Sequence, residues 1–114
     1  MTKSNILYVT VEGVSISIAP PFITGTSGCY KIVLGVYVHL SASWSGGLPP
    51  YTWKWVWPDG YTQVGSQSSG TSGTATTSRD FPSGTTAYTS ANFTVFDSLG
   101  RSASATVKVT GECA

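Results

Sequence analysis

The residues that could carry out catalytic chemistry are few, and their spacing does not group them. The 114 residues include five carboxylates and one histidine, His39. His39 falls on the outward, polar side of a predicted strand, and the carboxylates lie mainly in predicted turns and near the termini. Catalysis by side chains needs a nucleophile, a base and an orienting group within hydrogen-bond reach of one another. We therefore predict that the protein is not an enzyme and binds no cofactor.

Metal-ligating side chains are equally scarce. A structural zinc site uses about four Cys or His ligands at short spacings, whereas this chain has two cysteines and one histidine. Asp59, Asp80 and Asp97 are candidate calcium ligands. However, Asp59 precedes Gly60, and Asp97 opens the predicted turn at 97–100. Because aspartate side chains accept hydrogen bonds from turn backbones, we predict that these residues serve turns, and we predict no metal site.

One modification site is readable in the sequence. Asn92-Phe93-Thr94 is an N-glycosylation sequon, and Asn92 lies on the outward side of its predicted strand. Such triplets also arise by chance, and they are modified only in exported proteins. Asn92 is therefore a candidate glycosylation site in an exported protein.

The composition favours an all-β protein with little charge. Only 10% of the residues are charged, and the net charge is +1. Such a chain has no electrostatic field to recruit nucleic acid, so we predict no nucleic-acid partner. A surface made of hydroxyl and peptide groups is weakly protected against self-association. Strand formers and Ser, Thr and Gly outnumber helix formers, which is typical of strands and turns.

No segment is predicted to enter a membrane. Spanning a bilayer takes about 20 apolar residues in a row, and no stretch approaches that length. Residues 1–20 alternate between apolar and polar types and do not form the apolar block of a secretory signal. We therefore expect an exported protein to have lost its signal earlier, or to leave the cell inside a larger particle.

The most distinctive element is an aromatic strand between Pro49-Pro50 and Gly60. Its aromatic residues occupy every second position, at Tyr51, Trp53, Trp55 and Trp57. Period two indicates a strand with one aromatic face, which must be covered by a second sheet or by another molecule. Burial is one interpretation. The other is a platform of Tyr51, Trp53 and Trp57 that stacks on sugar rings. The candidate ligand contacts are Tyr51, Trp57 and Trp44, which lies off the row in a predicted Gly-rich loop.

Further strands follow from alternation and turn signals. The predicted strands cover 14–18, 30–43 with a bulge at Gly35, 74–81, and a hairpin of 91–95 with 103–109. Residues 22–28 are rich in Ser, Thr and Gly, and we predict a loop there. Residues 65–73 are of similar composition, and we predict either a loop or a sheet edge with few side chains to hold it.

Three motifs resemble the polycystic-kidney-disease (PKD) type of immunoglobulin-like domain. Residues 45–53, SGGLPPYTW, are similar to the family's Gly-x-Pro-Pro-Tyr motif, and residues 55–60, WVWPDG, to its Trp-Asp-Phe-Gly-Asp-Gly signature. Residues 93–100, followed by SASATV, resemble its closing Val-x-Asp-x-x-Gly hairpin. Val56 and Pro58 replace the signature's first Asp and first Gly. The resemblance implies a β-sandwich of about seven strands over residues 14–114 with Trp55 in its core, used for display, adhesion or spacing, and it implies no catalysis.

The resemblance also bears on the two cysteines. In an immunoglobulin-like sandwich the first and last strands run parallel side by side, which would bring Cys29 and Cys113 to the same end. A disulfide between them is therefore predicted. The alternative is two free thiols in a reducing compartment.

The N-terminal segment is surplus to such a domain. Its apolar residues lie on both faces of a predicted strand, at Ile6, Leu7, Tyr8, Val9 and Val11. We assign 1–13 to this extra strand and predict that it adds to the sheet edge of another subunit, where backbone hydrogen bonds and apolar side chains would hold it. Repetition of such a head-to-tail contact gives a ring or a filament.

The functional prediction is accordingly a structural subunit of an extracellular filament or of a virion surface. Its partners would be copies of itself or other structural subunits. The alternatives are a carbohydrate-binding or adhesive module that binds glycans through the exposed aromatic residues, and a plain spacer.

Overall fold

The computed structural model describes residues 18–114, so the predicted strand at 6–11 and, except for Ile18, the predicted strand at 14–18 lie outside the described residues. The described chain contains eight strands: β1 (Phe22–Ile32), β2 (Gly35–Ser45), β3 (Tyr51–Val56), β4 (Thr62–Gln67), β5 (Ser72–Pro82), β6 (Ser90–Phe96), β7 (Ser102–Lys108) and β8 (Gly111–Glu112). Residues 18–114 contain no helix. The all-β prediction is confirmed.

The strands form two four-stranded sheets. Their orders are β5-β2-β1-β8 and β4-β3-β6-β7. All pairings are antiparallel except that of β8 with β1, which is parallel. The arrangement is compatible with a β-sandwich, because a single cluster of buried side chains draws on both sheets.

The core follows from the alternation of apolar residues along the strands. In β2 every second side chain from Val38 to Trp44 is buried, as are Ala91, Phe93 and Val95 in β6. Trp55 is 1% exposed and its ring lies 4.8 Å from that of Phe93. The predicted core position of Trp55 is therefore confirmed. Burial of such large side chains is the main favourable term in the folding of a domain of this size.

The first two strands differ from the sequence prediction. Residues 22–28 form part of β1 rather than a loop, and the single strand predicted over 30–43 is a hairpin of β1 and β2. Residues 33–35 connect Ile32 to Val36, with Leu34 at φ 56° and Gly35 at φ 140°. The turn was missed because Val33 and Leu34 are apolar and continue the strand-like alternation of their neighbours.

The remaining strands agree more closely. The hairpin of β6 and β7 is confirmed, and the predicted strand at 74–81 lies within the longer β5. The loop predicted at 65–73 is shorter, since β4 reaches Gln67 and β5 begins at Ser72.

The antiparallel strands define two ends of the molecule. The anchor end comprises residues 18–22, 45–51, 67–72 and 96–102, which the strand register brings together. The tip end comprises residues 32–35, 56–62, 82–90 and 108–113. Because β1 runs from one end to the other, the two ends are separated by the length of that strand.

Candidate functional site

A buried carboxylate organises the anchor end. The side chain of Asp97 is fully buried and accepts hydrogen bonds from the backbone N–H groups of Leu48, Leu99 and Arg101 at 3.2, 3.0 and 2.9 Å. The Arg101 guanidinium donates two more, from Nε at 3.0 Å and from Nη2 at 2.7 Å. Asp97 therefore ties the β2–β3 connection to the β6–β7 turn, and its predicted turn role is confirmed.

The surroundings of Asp97 favour its charged form. Burial opposes ionisation, but the hydrogen bonds from Arg101 and from the backbone outweigh it and hold the pKa of Asp97 below its usual value. A carboxylate that accepts several N–H groups is stabilised as the anion. The ion pair with Arg101 is therefore present at neutral pH.

The same network holds the beginning of the described chain. Arg101 Nη1 donates a hydrogen bond to the carbonyl oxygen of Ile18 at 2.7 Å. The N–H of Gly47 donates one to the carbonyl oxygen of Ala19 at 2.8 Å. Gly47 has φ +78°, a conformation that favours glycine, and a Cβ there would lie 3.1 Å from Pro21. Ile18 and Ala19 are thus held against the sandwich at the anchor end.

The edge strand β4 is open to pairing within the described residues. It lies at one end of the second sheet and pairs there with β3. Its residues carry no charge, and Val64 on it is exposed. Natural edge strands usually carry charges or prolines that prevent pairing with another chain, so β4 is suited to accept an additional strand. Residues 22–27 of β1 are also uncharged, but β7 and β8 lie beside β1 on the side away from β2.

The aromatic residues predicted to contact a ligand are in the core. Trp44, Tyr51 and Trp57 are 1%, 0% and 1% exposed. The ring of Trp44 lies 5.6 Å from that of Tyr51, and the Tyr51 hydroxyl donates to the Gly46 carbonyl oxygen at 2.7 Å. The expectation that Trp44 is exposed is wrong, because β2 extends to Ser45 and places Trp44 on its inward face. No described ring of this set is available to stack on a sugar.

The other sequence candidates are placed as follows. Cys29 and Cys113 form a disulfide with a Cα–Cα distance of 4.8 Å, beside the parallel pairing of β1 with β8. Asn92 is exposed on β6, where its Oδ1 accepts a hydrogen bond from Thr106 at 2.8 Å. Asp80 lies on β5 rather than in a turn.

Asp59 serves the turn at the tip end. Its Oδ1 accepts hydrogen bonds from the Tyr61 N–H at 3.2 Å and from Arg79 Nη1 at 2.9 Å. The bond from Arg79 is the main reason that the pKa of Asp59 is lowered. Arg79 also stacks over the rings of Trp57 and Tyr61, at 5.3 and 4.5 Å. Asp59 and Arg79 therefore stabilise structure, as predicted for the aspartate.

The described part of the chain shows neither a metal-binding cluster nor a membrane-spanning helix. Residues 18–114 hold no group of three or more His, Cys, Asp or Glu side chains placed to bind a metal ion. Across the same residues no helix is long and apolar enough to cross a membrane.

Comparison with known proteins finds no family model, no curated protein and no solved structure that matches the chain. The resemblance to PKD domains therefore stays a prediction from sequence motifs.

Sequence reasoning missed two features of the site. The contact of Arg101 with the Ile18 carbonyl joins residues that are 83 positions apart, and no local pattern reveals it. The exposed apolar turn between β1 and β2 was hidden inside the single strand predicted at 30–43. A run of Ile32, Val33 and Leu34 followed by Gly35 was the available signal.

Proposed function

We propose that this protein is a non-enzymatic structural subunit of an extracellular filament or of a virion surface, and that its subunits assemble by β-strand addition. In this proposal the N-terminal segment of one subunit, residues 6–11, pairs with a sheet edge of the next. The observation that carries it is the uncharged edge strand β4, which pairs with β3 on one side and with none of the described strands on the other.

The finer fold assignment belongs to the same proposal. The grouping of β1, β2 and β5 in one sheet and of β3, β4, β6 and β7 in the other corresponds to strands A, B, E and C, C′, F, G of an immunoglobulin-like domain. This order supports a PKD-like sandwich of seven main strands. In such a sandwich β1 corresponds to the first strand.

The disulfide supports the proposed location. Disulfides persist in oxidising compartments and on the surfaces of cells and virions, and they are rare in the cytosol. The bond between Cys29 and Cys113 encloses most of the chain, with a sequence separation of 84. It is therefore compatible with an extracellular protein.

The alternative of a carbohydrate-binding module loses its structural basis. Trp44, Tyr51 and Trp57, on which it mainly depended, are buried, and Trp53 is partly buried against the core. We therefore favour the assembly function.

The proposal is tested by particle size. We expect the full chain to form multimers in sedimentation velocity experiments, and we expect removal of residues 1–12 to leave a folded monomer. Val9→Lys should also abolish assembly, because a charge in a dry strand interface is costly. Thr2→Lys adds the same charge outside the predicted strand and should leave assembly intact. A truncated protein that assembles like the full chain would rule out strand donation.

A further inference from the structure

The N-glycosylation sequon lies within strand β6 of the second sheet, which consists of β4, β3, β6 and β7. Asn92 pairs with Val56 of β3 on one side and with Thr106 of β7 on the other. Because side chains alternate along a strand, Asn92 and Thr94 both point away from the core, whereas Phe93 between them is 0% exposed. The two side chains that define the sequon therefore share the outer face of this sheet.

The amide group of Asn92 is oriented by the neighbouring strand β7. Its Oδ1 accepts a hydrogen bond from the Thr106 hydroxyl at 2.8 Å. An amide has one oxygen acceptor and one NH₂ donor group, and Nδ2 of Asn92 donates to no group of residues 18–114. Sequons that are used lie on the surface of secreted proteins. The atom that would carry a sugar thus belongs to an exposed side chain and is unengaged within the described part of the chain.

The surroundings of Asn92 can hold a sugar ring. Asn92 lines a shallow depression together with Thr94, Ser104, Ala105 and Thr106. Three of these residues carry hydroxyl groups and none is charged. Hydroxyl groups both donate and accept hydrogen bonds, so they can pair with the hydroxyl groups of a first sugar that lies against the sheet.

The outer face of the second sheet has few charges of its own. Among the outward side chains of its four strands, the charged ones are Lys54 and Lys108. A surface with few charges is weakly protected against sticking to its neighbours. A glycan is bulky and solubilising, and one attached to Asn92 would keep this face in water.

The disulfide between Cys29 and Cys113 supports an export route on which this modification takes place. Disulfides form and persist in the secretory pathway and outside the cell, and N-glycans are added to exported proteins. The sequon and the disulfide are separate features of the chain that point to the same route.

We propose that Asn92 carries an N-linked oligosaccharide that covers the outer face of the second sheet. In the transfer, Asn92 Nδ2 forms a bond to the anomeric carbon of an oligosaccharide carried on a lipid pyrophosphate. The bond between that carbon and the pyrophosphate oxygen breaks, the lipid pyrophosphate leaves, and Nδ2 loses a proton. The cell's glycosylation machinery catalyses the step, in which nothing is oxidised or reduced. This inference rests on the proposed extracellular location and does not depend on strand addition.

Peptide mass spectrometry of the protein purified from its natural source tests the inference. Trypsin cuts after Arg79 and Arg101 and releases residues 80–101, which hold the sequon, as a single peptide. We expect this peptide to carry an oligosaccharide that peptide:N-glycosidase removes, leaving a carboxylate in place of the Asn92 amide. An unmodified peptide would overturn the inference. A glycan that resists the enzyme and is attached to a Ser or Thr of the same peptide would overturn it too.

Matched variants separate recognition of the sequon from effects on the fold. The full chain is secreted from insect cells behind a cleavable signal. Thr94→Ser keeps the hydroxyl and should keep the glycan, whereas Thr94→Ala and Asn92→Gln should lose it completely. All three variants should be secreted with the disulfide formed, because neither side chain belongs to the buried core. A glycan that persists in Thr94→Ala would contradict the proposal.

The position of the glycan predicts its effect on assembly. Asn92 is separated from the edge strand β4 by β3, so enzymatic removal of the glycan should leave particle size in sedimentation velocity unchanged. Particles that form only after removal would show that the outer face is itself an interface, and the covering role would fail. If the chain lacking residues 1–12 assembles normally, the proposed strand addition fails while glycosylation of Asn92 stands.

Discussion

Asp97 is the residue on which the anchor end depends. Its buried carboxylate accepts five hydrogen bonds from three residues, and its partner Arg101 in turn holds Ile18. The Asp97–Arg101 pair therefore fixes the position of Ile18 at the anchor end.

Replacing this carboxylate should destabilise the fold. We expect Asp97→Asn to lower the free energy of unfolding by roughly 2–4 kcal/mol, because it leaves buried donors and Arg101 without their charged acceptor. Urea unfolding followed by tryptophan fluorescence measures the change. Asp80→Asn removes an exposed carboxylate from β5 and should cost no more than about 0.5 kcal/mol. Equal losses in the two variants would contradict the role assigned to Asp97.

The same carboxylate predicts how stability depends on pH. The pKa of Asp97 is lower in the folded protein than its usual value, so the unfolded chain binds more protons than the folded one between those two values. Its stabilising contribution is complete above the unfolded value, about 4, and is lost as the pH falls through the folded value. The urea midpoint of the wild type should therefore fall below about pH 4, and that of Asp97→Asn should fall less. Parallel pH profiles would contradict this account.

At the scale of elements, the predictable strands are those with both alternation and polar turns. The hairpin of β6 and β7 has an apolar face, a polar face and the turn Asp97–Gly100, and β3 lies between Pro50 and Pro58. The boundary between β1 and β2 could not be predicted because Val33 and Leu34 carry no turn signal. Residues 22–28 were predicted as a loop because an edge strand with few buried side chains tolerates Ser, Thr and Gly.

Two strands depend on glycines that make room for tryptophan rings. A Cβ added to Gly73 on β5 would overlap the ring of Trp44, which explains why a Gly-rich stretch forms a strand beside β2. A Cβ added to Gly65 on β4 would likewise overlap the ring of Trp53. Glycine here gives close approach rather than flexibility.

Gly73→Ala should therefore destabilise the protein by about 1–3 kcal/mol through overpacking. Gly25→Ala is the matched control, because a Cβ there would meet nothing within 4 Å. Urea unfolding of both variants measures the difference, and the fluorescence of Trp44 should change only in the first. If both variants are as stable as the wild type, the ring of Trp44 is not confined by β5.

The disulfide joins β1 to the end of the chain. Because Cys29 and Cys113 are 84 residues apart, the bond restricts most of the unfolded chain and should contribute roughly 4 kcal/mol. The double variant Cys29→Ser/Cys113→Ser should lose that amount in urea unfolding. Dithiothreitol should produce the same loss in the wild type and no loss in the double variant. A reduced wild type as stable as the oxidised one would contradict this prediction.

At the scale of the whole molecule, the chain is a sandwich with two unlike ends. The anchor end holds the start of the described chain, and the tip end exposes Ile32, Val33 and Leu34 in the turn between β1 and β2. The sequence indicated the apolar N-terminal segment, but it did not indicate this apolar turn, because the turn has no polar signature.

The central claim is that subunits join head to tail through the N-terminal segment, and chain termination tests it most directly. A protein lacking residues 1–12 keeps its sheet edges and can accept a strand, but it lacks the donor segment. It should therefore cap one end of a growing row. We predict that increasing its fraction in a mixture with the full chain shortens the particles in sedimentation velocity, and that each particle contains one truncated subunit. Particles whose length is unaffected by the truncated protein, with that protein remaining monomeric in the mixture, would contradict the account.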